Sequence, residues 1–165
     1  MDTLNAVSHS EALLRRRLGM AEERHRPSVP RRYEGDGIAV LWEPRLCIHI
    51  GRCLRNLPRV FDVAARPWID ATAATADDIA RAVEDCPTGA LRYERTDGAD
   101  PERGVHPTQI KVRRDGPLFV RGDVEVVDSS RNSTSVTRVA LCRCGQSSNK
   151  PYCDLTHKMV GFRAP

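Results

Sequence analysis

At 165 residues, with 5% aromatic residues, 40% apolar residues and eleven each of proline and glycine, the chain excludes long helices and one large continuous core and fits two small domains. A formal charge of +4, from 26 basic against 22 acidic residues with no basic block interleaved with aromatics, argues against nucleic acid as a partner. No apolar run reaches the roughly 18 residues needed to span a bilayer, and no export signal precedes Arg15-Arg16-Arg17, so the expected address is cytoplasmic, with no membrane partner.

In that compartment six patterned cysteines are expected to be metal ligands or catalytic groups, not disulfides. Small domains of this composition are each expected to need a staple beyond hydrophobic burial. Residues 1–34 read as a polar arm. Within it, Ser10 to Arg24 fits either an amphipathic helix capped by Ser10, with Leu13, Leu14, Leu18 and Ala21 on one side, or a disordered segment. Pro27, Pro30 and Arg31-Arg32 read as a linker.

A first domain is expected over residues 35–97. Ile38 to Trp42 predicts a strand that stops at Pro44, and Cys47 to Asn56 predicts a short helical segment that ends at Leu57-Pro58. Val60-Phe61 and Pro67-Trp68-Ile69 read as short extended pieces. A stronger helix starts at Thr75, with Asp77 and Asp78 at the positive end of its dipole and Ile79, Ala82 and Val83 facing inward. Cys86-Pro87 breaks it, and Ala90 to Tyr93 predicts another strand. Phe61, Trp42 and Trp68 read as core, Gly51 and Gly89 as turn residues, and His9, His25 and His106 as solvated.

Residues 98–108 read as a linker, and residues 109–165 as a mostly-β domain. Strands are expected at Ile110–Val112, Leu118–Val120, Val124–Val127 and Val136–Leu141, with Asp115-Gly116 and Gly122-Asp123 as turns. The fold class is therefore α+β, a small α/β domain followed by a small mostly-β one.

Directly after the last strand, Cys142, Cys144, Cys153 and His157 fall close together. Gly145 supplies the backbone freedom that lets Cys142 and Cys144 face one metal, and Asp154 can cap a short helix whose third position is His157. By spacing alone, three sulfurs and one nitrogen suit a structural zinc or an iron–sulfur cluster. The run Cys142-x-Cys144-x2-Ser147-x3-Pro151-x-Cys153-Asp154-Leu155-Thr156-His157 is similar to the signature of the CDGSH iron–sulfur domains, the mitoNEET-type proteins, and departs from it at Leu155, where the pattern has glycine. The likeness extends from about Ile110 to Phe162. It implies a [2Fe-2S] cluster with Cys142 and Cys144 on one iron and Cys153 and His157 on the other. Leu155 calls the local turn into question, because leucine accepts glycine's backbone angles reluctantly.

In the first domain, Cys47 and Cys53 keep the spacing of the outer cysteines of a ferredoxin C-x2-C-x2-C run, with Ile50 at the middle position, and Cys86-Pro87 matches its closing pair. Gly37 to Tyr93 resembles the divergent single-cluster 4Fe-4S ferredoxin family through Cys47-Ile48-His49, Gly51-Arg52-Cys53, Leu57-Pro58, Val60-Phe61-Asp62, Arg66-Pro67-Trp68-Ile69 and Cys86-Pro87-Thr88-Gly89-Ala90-Leu91. The resemblance implies a ferredoxin-like domain holding a [4Fe-4S] cluster on Cys47, Cys53 and Cys86. The fourth corner is open between His49 and an iron-deficient [3Fe-4S] form.

Two dissimilar centres in one chain imply electron transfer between a separate reductase and acceptor. The alternatives are a redox- or pH-sensitive cluster sensor or donor built on His157, and a zinc-stapled interaction module. No phosphate loop, nucleophile elbow or H-E-x-x-H occurs, so no enzyme activity is expected. The mitoNEET-type likeness also leaves a homodimer open.

Overall fold

The computed structural model describes residues 29–129 and 131–165; the expected helix at Ser10 to Arg24, with His9 and His25, lies outside them. Two three-stranded antiparallel sheets are joined by an irregular segment. The first contains β1 (Arg31–Gly35), β2 (Ile38–Trp42) and β3 (Leu91–Arg95), in the order β1-β2-β3. Between β2 and β3 run a 3₁₀ turn at Pro44–Leu46, helix α1 (Arg52–Asn56) and helix α2 (Ala76–Glu84).

Strand β1 begins inside the segment that the sequence assigned to the arm and linker. Its residues Arg31, Arg32 and Glu34 are polar, and only Tyr33 packs on the core, so nothing apolar announces it. Backbone pairing to β2 holds it, with Arg32 bonded to Glu34 and Glu94 and the Arg31 guanidinium 5.3 Å from the Trp42 ring centre. The cysteine segment also departs from expectation. Cys47 to Ile50 is not helical, and α1 starts only at Arg52, after Gly51 at φ 72°. Helix α2 keeps the expected cap, the Thr75 hydroxyl accepting from the Asp78 N–H at 3.2 Å, and buries Ile79, Ala82 and Val83. An isolated bridge joins Phe61 to Ile69, as the two extended pieces suggest.

The second sheet contains β4 (Gln109–Val112), β5 (Leu118–Val127) and β6 (Ser133–Leu141), followed by a one-turn helix α3 (Thr156–Met159). The two strands expected either side of Gly122-Asp123 are one strand, β5. Its register against β6 shifts between Arg121 and Val124, so the glycine marks a bulge and not a turn.

The halves differ in how they are held. The first builds a core of Ile38, Val40, Leu57, Val60, Phe61, Ile69, Ile79, Val83, Leu91 and three or more alanines. The second buries only Val120, Val139, Ala140 and Cys153 among its apolar residues. The expected need for a staple therefore falls mainly on the second half. Part of that staple is the first half itself. Arg138, 2% exposed, leaves β6 and donates to the carbonyls of Val83 and Cys86, each at 2.6 Å, and of Leu91 at 3.1 Å. Its charge is met by Glu102 at 2.6 Å, from the irregular segment between the sheets. Val83 lies in the last turn of α2, where the carbonyl ends carry partial negative charge, so a guanidinium belongs there. At Gly89, φ 68°, a Cβ would lie 2.4 Å from the Arg138 carbonyl oxygen, so glycine permits both the turn and the close approach of the halves. Asn149 adds a second tie, its side-chain amide donating to the Arg45 carbonyl at 2.7 Å. Among the described residues no helix is long and apolar enough to cross a membrane.

Candidate metal centres

Six free cysteines and two histidines form two separate donor groups. In the second half, strand β6 delivers Cys142, and the segment that returns past Pro151 delivers Cys153. The two segments are zipped by the Cys142 N–H donating to the Pro151 carbonyl at 2.8 Å and the Cys153 N–H to the Ala140 carbonyl at 2.9 Å. Gly145, at φ 74°, turns the chain as expected, and the Cys142 and Cys144 sulfurs lie 3.7 Å apart. Cys153 Sγ lies 3.5 Å from His157 Nδ1. The four donors thus form two close pairs, and no three of the described His, Cys, Asp or Glu side chains converge on a single-ion site.

Asp154 organises the loop around them. One carboxylate oxygen accepts from the Ser148 N–H at 2.8 Å and hydroxyl at 2.9 Å, and the other from the Thr156 N–H at 3.0 Å. Burial opposes its ionisation, but the bonds from Thr156 and Ser148 outweigh burial and hold Asp154 well below the usual carboxylate range. The cap differs from expectation by one residue. Leu155 is the N-cap, at φ 71°, and His157 is the second helical position, while Asp154 bonds the first N–H of α3 from just outside. Leu155 therefore occupies the left-handed conformation that glycine serves in the related signature. Leu155→Gly should stabilise the domain by a net of about 0.5 kcal/mol, because relief of the backbone penalty exceeds the lost contacts of a half-buried side chain. Urea denaturation of both proteins measures it, and a loss of stability in the glycine variant contradicts it.

Burial also sets the protonation of the donors. It pushes the Cys153 thiol up, against the Leu155 N–H, and pushes the His157 imidazole below its ordinary value, with Lys158 adding to the effect and Asp154 opposing it. Burial acts on Cys142 in the same sense, yet the N–H groups of Ser147, Gly145 and Cys144 and the Cys144 thiol outweigh it and hold Cys142 below its ordinary value. The neutral imidazole at His157 and the favoured thiolate at Cys142 are the forms that bind metal. Between the two cysteines, Arg143 turns away and donates to the carbonyls of Gly116, Arg113 and Pro165 at 2.9, 2.7 and 2.7 Å, pinning the chain end.

In the first half, Cys47, Cys53 and Cys86 line one cavity of about 40 Å³ together with Trp42, Trp68, Ile48 and His49. Cys47 follows the 3₁₀ turn, Cys53 lies in α1, and Cys86 follows α2. Burial pushes the Cys47 and Cys53 thiols up, and Cys86 adds like-charge repulsion to both. His49, at φ 51°, carries its Nδ1 3.8 Å from Cys47 Sγ. The Trp68 indole Nε1 is buried without a hydrogen-bond partner, while the buried Trp42 indole N–H is directed at the Cys47 thiol and opposes the upward push of burial there. Both tryptophans, expected as core alone, also wall this cavity, edge to face at 4.8 Å between ring centres, so one unsatisfied N–H donor sits beside three thiols. His106 is exposed as expected but pairs with Asp123 at 2.9 Å.

Sequence reasoning missed Arg138 and Arg143, both half-hidden among the many arginines. Their signal was positional: Arg138 stands between Val136 and Ala140 in strand alternation, and Arg143 stands between two candidate ligands.

Residues 33–96 match a family model described as a divergent 4Fe-4S mono-cluster, and residues 115–158 match one described as an iron-binding zinc finger of CDGSH type. The chain is also similar to the uncharacterized protein YjdI of Escherichia coli strain K12 and to the protein of that name from Escherichia coli O157:H7. Each is 32% identical over 61 residues, which make up 37% of this chain and 80% of the relative.

Proposed function

Because the chain belongs to the divergent 4Fe-4S mono-cluster and CDGSH iron-binding families, joined in that order, we propose that it is a two-cluster iron–sulfur protein of electron transfer. The observation that carries this reading is the presence of two donor sets of different composition on one clamped scaffold. Cys142 with Cys144, and Cys153 with His157, would hold a [2Fe-2S] cluster. Cys47, Cys53 and Cys86 would hold a [4Fe-4S] or [3Fe-4S] cluster, and His49, whose Nδ1 lies 3.8 Å from Cys47 Sγ, would be the fourth ligand of the former. The unsatisfied Trp68 indole N–H fits a group whose inorganic sulfurs accept hydrogen bonds.

Clusters at these sites supply reversible one-electron redox chemistry. The protein's own contribution is to set the environment. Burial around Cys153 and His157 excludes water, and the single imidazole leaves the second site less negative than an all-cysteine one, which raises its potential. We further propose that the chain turns over no substrate by itself and relies on a separate reductase and acceptor.

Anaerobic purification followed by iron and sulfide analysis and electron paramagnetic resonance tests the reading. Two distinct signals are expected. Cys53→Ala should abolish one and Cys153→Ala the other, each leaving its counterpart. Colourless protein carrying zinc and no inorganic sulfide overturns it.

A further inference from the structure

One groove of about 500 Å³ runs between the two halves, with His49 of the first half and His157 of the second among its walls. Seven exposed cations line the same groove: Arg52, Lys111, Arg113, Arg114, Arg121, Lys158 and Arg163. Arg163 donates to the Phe162 carbonyl at 3.2 Å, and the other six side chains make no hydrogen bond or ion pair with any described residue. Elsewhere on the described surface, Arg32, Arg59, Arg81, Arg95 and Arg103 each face at least one carboxylate, whereas Arg31, Arg92 and Arg131 form no ion pair with a described residue. The groove has two acids of its own, and both are engaged, Asp85 by the Asn56 amide and Asp115 by the Ala164 N–H at 2.9 Å. Nor does residues 1–28 offer an acidic cover, since Asp2, Glu11, Glu22 and Glu23 are outnumbered by Arg15, Arg16, Arg17, Arg24 and Arg26.

Like charges crowded without counter-ions raise the local potential and repel one another unless an anionic partner meets them. The side chains are long, solvent-exposed and spread over both halves. Such a layout suits an acidic protein surface better than one small phosphate, which would need a few donors fixed on a recess. We propose that this groove is the docking surface for the acidic face of a single-electron carrier protein, which it brings up against both histidine-bearing site edges at once. The partner's redox role rests on the function proposed above; its charge rests on the groove alone.

A flavodoxin, an acidic one-electron carrier, serves as the probe. Binding to the anaerobically purified protein is measured by titration at low salt and again at about 0.3 M salt, where the screening length falls to about 6 Å. Expected is saturable binding that weakens with salt and falls about tenfold or more in Lys111→Glu/Arg114→Glu. Arg59→Glu/Arg103→Glu, with the same change of charge outside the groove, should leave it unchanged. No binding, or equal loss in both variants, overturns the proposal. So does tight binding of inorganic tripolyphosphate that only the groove variant loses while flavodoxin does not bind, because the groove then takes small polyanions. The redox role is read separately: the anionic flavodoxin hydroquinone should give up one electron to become the neutral semiquinone as one ferric iron of the bound protein is reduced to ferrous. Groove-dependent binding without that transfer leaves the docking surface standing and removes the electron-transfer function.

Discussion

Arg138→Gln should cost about 3–5 kcal/mol of stability, the largest single effect expected of any residue outside the donor sets. The guanidinium is buried and serves four partners, the carbonyls of Val83, Cys86 and Leu91 and the carboxylate of Glu102. Glutamine is too short to reach them all and carries no charge, so Glu102 is left as a nearly buried anion and three carbonyls lose a donor. The second half has little core of its own, and the loss should fall there first, splitting one unfolding transition into two. Denaturant unfolding followed by tryptophan fluorescence and by cluster absorbance separates the halves, since Trp42 and Trp68 both belong to the first. Glu102→Gln completes a double-mutant cycle, with a coupling of about 1–3 kcal/mol expected. One coincident transition and a loss under about 1 kcal/mol would show that the arginine is not what joins the halves. The same bond touches function. Arg138 stands on the strand that leads into Cys142 and grips the carbonyl of Cys86, so one side chain sets the relation between the two donor groups.

Acidification should empty the His157 site before the three-cysteine site. Burial holds the His157 imidazole below its ordinary value of about 6.5, with Lys158 acting in the same direction and Asp154 against it. The sign follows from that lowering. Between the ordinary and the lowered value the unfolded chain binds a proton that the folded chain does not, so stability is full above about pH 6.5 and is lost as pH falls toward the folded value. Metal on the ring adds to the same preference for the neutral form. Loss of the second centre should therefore accelerate below about pH 6, by up to tenfold per pH unit for a single proton. His157→Cys should hold its cluster more firmly in mild acid. Following visible absorbance against pH in both proteins checks this, and equal lability would mean that release starts at another ligand.

How much of this could be read before folding depends on range. Ligand spacing is local: three sulfurs and a nitrogen between Cys142 and His157, the glycine turn at Gly145 and the capped helix after Thr75 depend on neighbours a few residues away, and each was legible. Leu155 was legible too as the one departure from a glycine signature, and the chain keeps the left-handed angle there regardless. Strand β1 was not, because an edge strand held by backbone pairing and surface ion pairs carries no apolar alternation. Nor was the continuity of β5, since a glycine–aspartate pair has the same appearance in a bulge as in a turn.

The sequence by itself determined which atoms can hold metal, because ligand identity and short spacing are properties of the chain. Only the tertiary structure decided that His49 and His157, from opposite halves, line one groove, that unpaired cations gather there, and that Arg138 crosses 52 positions to Cys86. Those facts depend on contacts between segments far apart in sequence. Such contacts form only when burial and charge are satisfied together, and no local pattern encodes that condition.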